Sequence, residues 1–389
     1  MRRLCAGTCR PQSDGLPLMA SGRFPPCLNG GQKTGKCRSR ARSKFSSPRK
    51  SDPKSYTAFM RVAFFPFAIL LCLVTVAPAA DSSLARLEQQ LAALTKITDA
   101  TVGVSALHLE SGRSVSVRGT EAFPMASAFK VPIAVQIMTL VDQGKLSLDK
   151  MIPLTTQDLH PGSGTLSELF FHPGVSLSVA NLMELMLVIS DNSAADIMLR
   201  EAGGSAAVTE RMRQLGLNIR VDRNTAVLIS DWSGVKSLPP ETQWKREMWD
   251  PMFDAVPERE HMAARRAETR SLKDTATPDE MTKLVALVWK KELFSPARAE
   301  FLNGVLERCQ TGKARIKGML PQGTPVAHKT GTLGGVANDT GVITLPNGGG
   351  HIVLSVFTKG AALPQDTAEK AIAEVARTVY DYFLLVPAQ

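Results

Sequence analysis

The stretch Ser127-Ala128-Phe129-Lys130-Val131-Pro132-Ile133-Ala134 opens a segment, running through Ile137, Met138 and Leu140, that is apolar on most of its sides. A helix of that kind is buried. Proline is tolerated only in a first helical turn, so Pro132 sets the start of the helix near Ser127. A hydroxyl there meets free N–H groups and the positive end of the helix dipole, which favour a developing negative charge. Lys130 lies three residues on and therefore shares a face with Ser127. To accept a proton its amine must lose basicity, and burial beside other cations has that effect.

Ser-x-x-Lys alone is weak, since about one chance match is expected in a chain of this length. Two further strings follow it in order, Ser190-Asp191-Asn192 and Lys329-Thr330-Gly331. The second comes after the apolar run Leu182–Ile189 and precedes a helix beginning near Ala194; by itself it reads as a turn and helix cap. The third lies in a strand, where Gly331 admits close approach of a ligand to the backbone. Together they supply a nucleophile with an amine, a second hydroxyl with an amide, and a cation at a strand edge. Acyl transfer through a covalent serine intermediate needs that set.

Around these strings the elements alternate in kind. Ser82–Ile97 carries Leu84, Leu87, Leu91 and Leu94 at helical period. Residues 102–118 alternate and turn at Glu110-Ser111-Gly112, predicting a hairpin. A largely helical stretch runs from Ser127 to about Met281. Strands return at Val326–Leu333, Gly341–Leu345 and His351–Thr358, and a last helix spans Asp366–Leu384. The fold class expected is α/β (α+β): one antiparallel sheet built from N- and C-terminal segments and covered by helices, with an inserted all-helical lobe beside it. The cleft between the two is where a site belongs.

The three strings, with Phe123-Pro124-Met125-Ala126 before the first and Asp274-Thr275-Ala276-Thr277-Pro278 further on, resemble the penicillin-recognising serine enzymes, and among them the class A β-lactamase-related proteins. The resemblance runs from about Ser82 to the C-terminus. It implies Ser127 as nucleophile, Lys130 as its base and Ser190 as relay of a proton to the leaving nitrogen. It further implies Asn192 as a substrate-amide contact, Lys329 and Thr330 as the carboxylate anchor, and the Thr332 N–H as a second oxyanion donor beside that of Ser127. His328 is expected to pack, Asp191 to tie down its loop and Asp339 to be structural. Residues 334–339 are expected to form a hairpin at the cleft rim.

One position departs from the family. Its omega-loop glutamate, which activates the deacylating water, is matched by Thr225 in Val221-Asp222-Arg223-Asn224-Thr225-Ala226-Val227-Leu228. Threonine cannot serve as a carboxylate base. A long insertion, residues 230–273, follows. Its carboxylates Asp231, Glu241, Glu247, Asp250, Glu258 and Glu260 read as an exposed charged loop. The expected function is a serine hydrolase acting on β-lactams, slowly, or on related amides and esters. The alternatives are a D-alanyl-D-alanine carboxypeptidase acting on peptidoglycan-like substrates, and a binding protein that stays acylated. No metal or organic cofactor is expected, and a monomer is.

The net charge of +10 does not indicate a nucleic-acid partner. Residues 1–59 hold 13 Lys and Arg against 2 Asp and Glu, and the remainder 33 against 34. The first 59 residues thus read as a basic, disordered extension or the product of a misplaced start codon, with Met60 the true initiator. Met60-Arg61, an apolar run over residues 62–79 and Ala77-Pro78-Ala79-Ala80 read as a secretory signal over 60–80. The mature enzyme would be 81–389, periplasmic or secreted, with membrane contact only through the signal. Cys5, Cys9, Cys27 and Cys37 read as incidental cysteines, and Cys309 as a small buried residue in a helix.

Overall fold

The computed structural model describes residues 82–386. The extension over 1–59 and the signal over 60–80 lie outside the described residues.

The leucine period at the start forms α1 (Ser82–Leu94), with Leu87 and Leu91 buried. Strands β1 (Thr101–His108) and β2 (Ser114–Val117) make the predicted hairpin, with Gly112 turning it at φ +68°. The inserted lobe starts with β3 (Phe123–Pro124), a 3₁₀ turn over Ala126–Phe129 and α2 (Lys130–Asp142). It continues through β4 (Met151–Pro153), α3 (Leu166–Leu169), β5 (Ser176–Ser178), α4 (Val179–Val188), α5 (Asn192–Glu201) and α6 (Ser205–Gln214). Next come α7 (Thr225–Ser233), α8 (Trp249–Asp254), α9 (Glu258–Glu268), β6 (Thr275–Ala276), α10 (Pro278–Trp289) and α11 (Pro296–Glu307). The chain then returns as β7 (Val326–Leu333), β8 (Val336–Thr344), β9 (His351–Lys359) and α12 (Asp366–Leu385).

The main sheet is antiparallel, in the order β2-β1-β9-β8-β7. The two ends of the chain meet where β1 pairs with β9, for example Val104 with Val356. Alternation along β9 divides the core in two, because successive side chains point to opposite faces. Ile352, Leu354 and Val356 pack with α1 and α12, including Leu87, Ile372 and Val379. Val353 and Phe357 pack toward the lobe, against the cluster that holds Phe129, Ile133, Ile137 and Met138 of α2. Ten residues of α2 are buried, so the sequence reading of an all-round apolar helix holds.

Three expectations are corrected. The α-helix begins at Lys130, not near Ser127, and Ser127 sits on the 3₁₀ turn just before it. Strand β8 begins at Val336, five residues before the predicted start, so the hairpin turn is Gly334-Gly335 alone and Asn338 and Asp339 lie inside the sheet. The insertion is no exposed loop: it carries α8 and α9 and its own small core, in which Trp244 and Trp249 are buried with Ala226. Its charges suggest solvent, but two large aromatic rings bury enough apolar area to order such a segment.

Candidate active site

The turn carrying Ser127 is fixed from both sides. Strand β3 pairs with β6, Met125 N donates to Asp274 O at 2.9 Å, and Asn338 Nδ2 donates to the carbonyls of Pro124 and Met125 at 2.8 and 3.0 Å. Ala126 adopts φ +45°, a conformation a non-glycine residue holds only where its surroundings dictate it. Gly331 of β7 lies against this turn. A Cβ there would collide with Met125 O and crowd Ala128 N at 3.0 Å. Its role therefore differs from the expected approach of a ligand: it lets β7 approach the backbone of the turn that carries Ser127.

Ser127 is half-buried and its hydroxyl makes no side-chain hydrogen bond among the described residues. Lys130 is fully buried. Its Nζ contacts Ser190 O at 2.7 Å, Asn192 Oδ1 at 2.8 Å, Ser190 Oγ at 3.2 Å and Asp191 O at 3.3 Å. The amine thus rests on the second motif, while the sequence places it only on the helical face it shares with Ser127. Burial, and then the charge of Lys329, hold Lys130 well below the usual lysine range.

Ser190 takes φ +64°, which turns its carbonyl and hydroxyl to the same amine. Its Oγ also accepts from Lys329 Nζ at 3.0 Å, so one hydroxyl bridges two buried amines. Lys329 is pushed down to about 8, chiefly by burial. Asp191 ties down the loop as expected, accepting from Thr165 N, Leu166 N and Ala194 N at 2.7–2.9 Å. The Asn192 amide donates to Pro161 O at 2.8 Å.

On β7, Thr330 Oγ1 meets Thr311 Oγ1 at 2.6 Å, and Thr332 Oγ1 accepts from the buried Arg315 at 2.8 Å. Arg315 also binds Gly331 O and Asn338 O and is compensated by Glu369. Sequence reading missed Thr311, Arg315 and Asn338. Gly312, between Thr311 and Arg315, is at φ +67°, and a Cβ on it would strike the Thr330 side chain. His328 is buried and pairs with Asp339 at 2.9 Å, which raises it to about 9 although burial opposes the charge. Cys309 lies just past α11, not within a helix. Burial would raise its thiol, but His328 and Lys329 lower it to about 6.

Ser127, Ser190, Asn192, Thr225, Thr330 and Thr332 come together around one cleft of about 420 Å³, completed by Ile229, Thr311 and Gly312 among others. None of its lining residues is Asp or Glu. Thr225 opens α7, and its hydroxyl donates to Asp196 Oδ2 at 2.6 Å. The six insertion carboxylates line other surfaces; Asp231, for one, is bound to Arg223 at 2.6 Å. A hydroxyl nucleophile, two amines of lowered basicity and a bridging hydroxyl can form an acyl-enzyme, and no carboxylate lines the cleft itself.

The model of the beta-lactamase enzyme family matches residues 86–383. The chain belongs to that family. Among its relatives, Beta-lactamase VEB-1 of Pseudomonas aeruginosa is 30% identical over 298 residues, covering 74% of this chain and 87% of the relative. The Carbapenem-hydrolyzing beta-lactamase KPC of Klebsiella oxytoca is 31% identical over 281 residues, covering 71% and 82%. Among solved structures, the TLA-1 extended spectrum beta-lactamase superposes with a TM-score of 0.64 at 27% identity, covering 78% of this chain and 99% of that one. This family member keeps the three motifs around one cleft, with threonine where the resemblance places a glutamate.

Proposed function

We propose that this protein is a serine hydrolase that opens β-lactam rings through an acyl-enzyme on Ser127, formed readily and released slowly. One observation carries this reading: the Ser190 hydroxyl lies between the buried amines of Lys130 and Lys329, beside the cleft that Ser127 lines. Ser127 Oγ attacks the ring carbonyl as its proton passes to Lys130. The proton continues through Ser190 to the ring nitrogen, the C–N bond breaks, and the acyl group remains on Ser127. The N–H groups of Ser127 and Thr332 receive the oxyanion. Lys329 and Thr330 receive the substrate carboxylate with Arg315 behind them, and the Asn192 amide meets the acyl side chain. The apolar run over 62–79 supports action outside the cytoplasm, in the periplasm or the medium.

A cleft lined by no carboxylate also favours a second reading, a D-alanyl-D-alanine carboxypeptidase that β-lactams acylate. Intact-mass spectrometry of wild type and Ser127→Ala with a penicillin tests the shared step. An adduct is expected on the wild type alone, and equal labelling of both would remove Ser127 from the mechanism. Release of a D-alanyl-D-alanine peptide substrate's terminal residue, with β-lactam adducts that persist, would select the second reading.

A further inference from the structure

Thr225 has a specific partner. Asp196, on α5 and 6% exposed, accepts from Thr225 Oγ1 at 2.6 Å, from Thr225 N at 2.7 Å and from Ala226 N at 3.2 Å. Its Oδ2 also meets His160 Nδ1. His160 faces the Gln157 carbonyl through Nε2 at 2.9 Å, so that nitrogen carries a proton. The imidazole is held edge-on by Trp244 and Trp249 of the insertion, at 5.3 and 6.3 Å between centroids. Asp196 stands between two spaces. On one side Thr225 lines the cleft with Ser127; on the other, Asp196 and His160 line a second cavity of about 460 Å³.

We propose that Thr225, backed by Asp196 and His160, relays the proton of the deacylating water. This rests on the reading of Ser127 as the acylated residue. The Thr225 hydroxyl spends its one proton on Asp196, which leaves its lone pairs to accept from a water in the cleft. As that water's oxygen bonds to the acyl carbon, one of its protons passes to Thr225 Oγ1 and the proton of Thr225 passes to Asp196 Oδ2. The C–O bond to Ser127 then breaks, and Ser127 Oγ takes the water's second proton by way of the neutral Lys130 amine, so that the product leaves as a carboxylate. Asp196 gives its proton to solvent by way of the second cavity, and Lys130 ends neutral, as the next acylation requires. Thr225 is the catalytic group; Asp196 and His160 are positioning residues that act through it.

A purely structural Asp196 would only cap the start of α7. The relay differs in its pH dependence. A proton shared between His160 and Asp196 leaves the carboxylate a poorer acceptor, so release must quicken as the pair loses that proton. Burial opposes the imidazolium, but Asp196 outweighs it and raises His160 above its ordinary value, with Asp158 adding to the effect. The other charged groups around this cavity are Arg200, paired with Asp158 at 2.6 Å, together with Asp222, Arg223 and Glu241.

The test follows adduct decay on the full-length protein after a pulse of fluorescent penicillin, across pH. Thr225→Val, which keeps the shape and removes the hydroxyl, is expected to lengthen the adduct's lifetime on the order of a hundredfold or more. Thr225→Ser is expected to restore release to within about tenfold, the loss expected from a less firmly held hydroxyl being small beside that of the base. In the wild type release rises with pH through a value above about 6.5, the ordinary histidine value. In Asp196→Asn that rise disappears. A normal adduct released by Thr225→Val as fast as by the wild type would overturn the relay alone, as would a flat wild-type pH profile. No adduct on the wild type would overturn the relay and the reading of Ser127 together.

Discussion

In the proposed mechanism, acylation turns on Lys130. Its amine is buried and close to a second lysine, so it gives up its proton far more readily than a surface lysine. Lys130→Ala is expected to slow acylation by about 10²- to 10⁴-fold, the range for a positioned base, while circular dichroism still reports a folded protein. Lys329 makes a prediction of opposite character. Burial brings its ammonium down to about 8, so the cation is present below that pH and is lost as pH rises through it. Carboxylate-bearing substrates should bind progressively worse above pH 8, with KM rising more than kcat falls. Lys329→Arg should flatten that rise, because a guanidinium stays charged. These two proposed roles follow from the resemblance that Ser-x-x-Lys and Lys-Thr-Gly carry. The bridging place of Ser190 between both amines does not, since it depends on a backbone at φ +64° that no local pattern announces.

Between elements, the site depends on how closely β7 approaches the Ser127 turn. Gly331→Ala would drive a methyl group into Met125 O, a backbone atom that cannot swing aside. The variant is expected to melt several degrees lower and to acylate at least tenfold more slowly, by the link between misplacement and rate. The segment that carries Thr225 hangs from Arg223, whose guanidinium binds Asp274 at 2.6 Å, Asp231 at 2.6 Å and Glu268 at 3.0 Å. Asp274 is 1% exposed, and its carboxyl is raised by burial despite Arg223. Arg223→Ala strands that carboxylate and should cost about 3–5 kcal/mol, read by denaturant unfolding. Such links were only partly legible in the chain. The strand expected over Val326–Leu333 matches β7 at its observed limits, and the leucine period finds α1. The start of β8 hides behind Gly334-Gly335-Val336-Ala337-Asn338-Asp339, where glycines and polar residues imitate a longer turn. Buried polar residues such as Asn338 and Arg315 serve partners distant in sequence, and no spacing rule predicts those.

At the scale of the molecule, strands from both chain ends with helices between them imply one sheet and one inserted lobe, and that much was readable from the order of elements. The packing of the insertion was not, because Trp244 and Trp249 pack against Ala226 and against His160, which lies some eighty residues earlier. The missing carboxylate at Thr225 was legible, but the one directly behind it was not. Thr225→Glu on its own would set two carboxylates side by side, one of which must then hold a proton. Thr225→Glu combined with Asp196→Asn is expected to release the acyl group faster than Thr225→Glu alone, measured as adduct half-life. The most direct test of rapid acylation followed by slow release is rapid mixing of the wild-type protein with a chromogenic cephalosporin, with intact mass sampled in parallel. The prediction is a burst of about one equivalent per active protein, a Ser127 adduct that dominates the mass spectrum, and slow turnover thereafter. A linear, rapid time course with no accumulated adduct would contradict it.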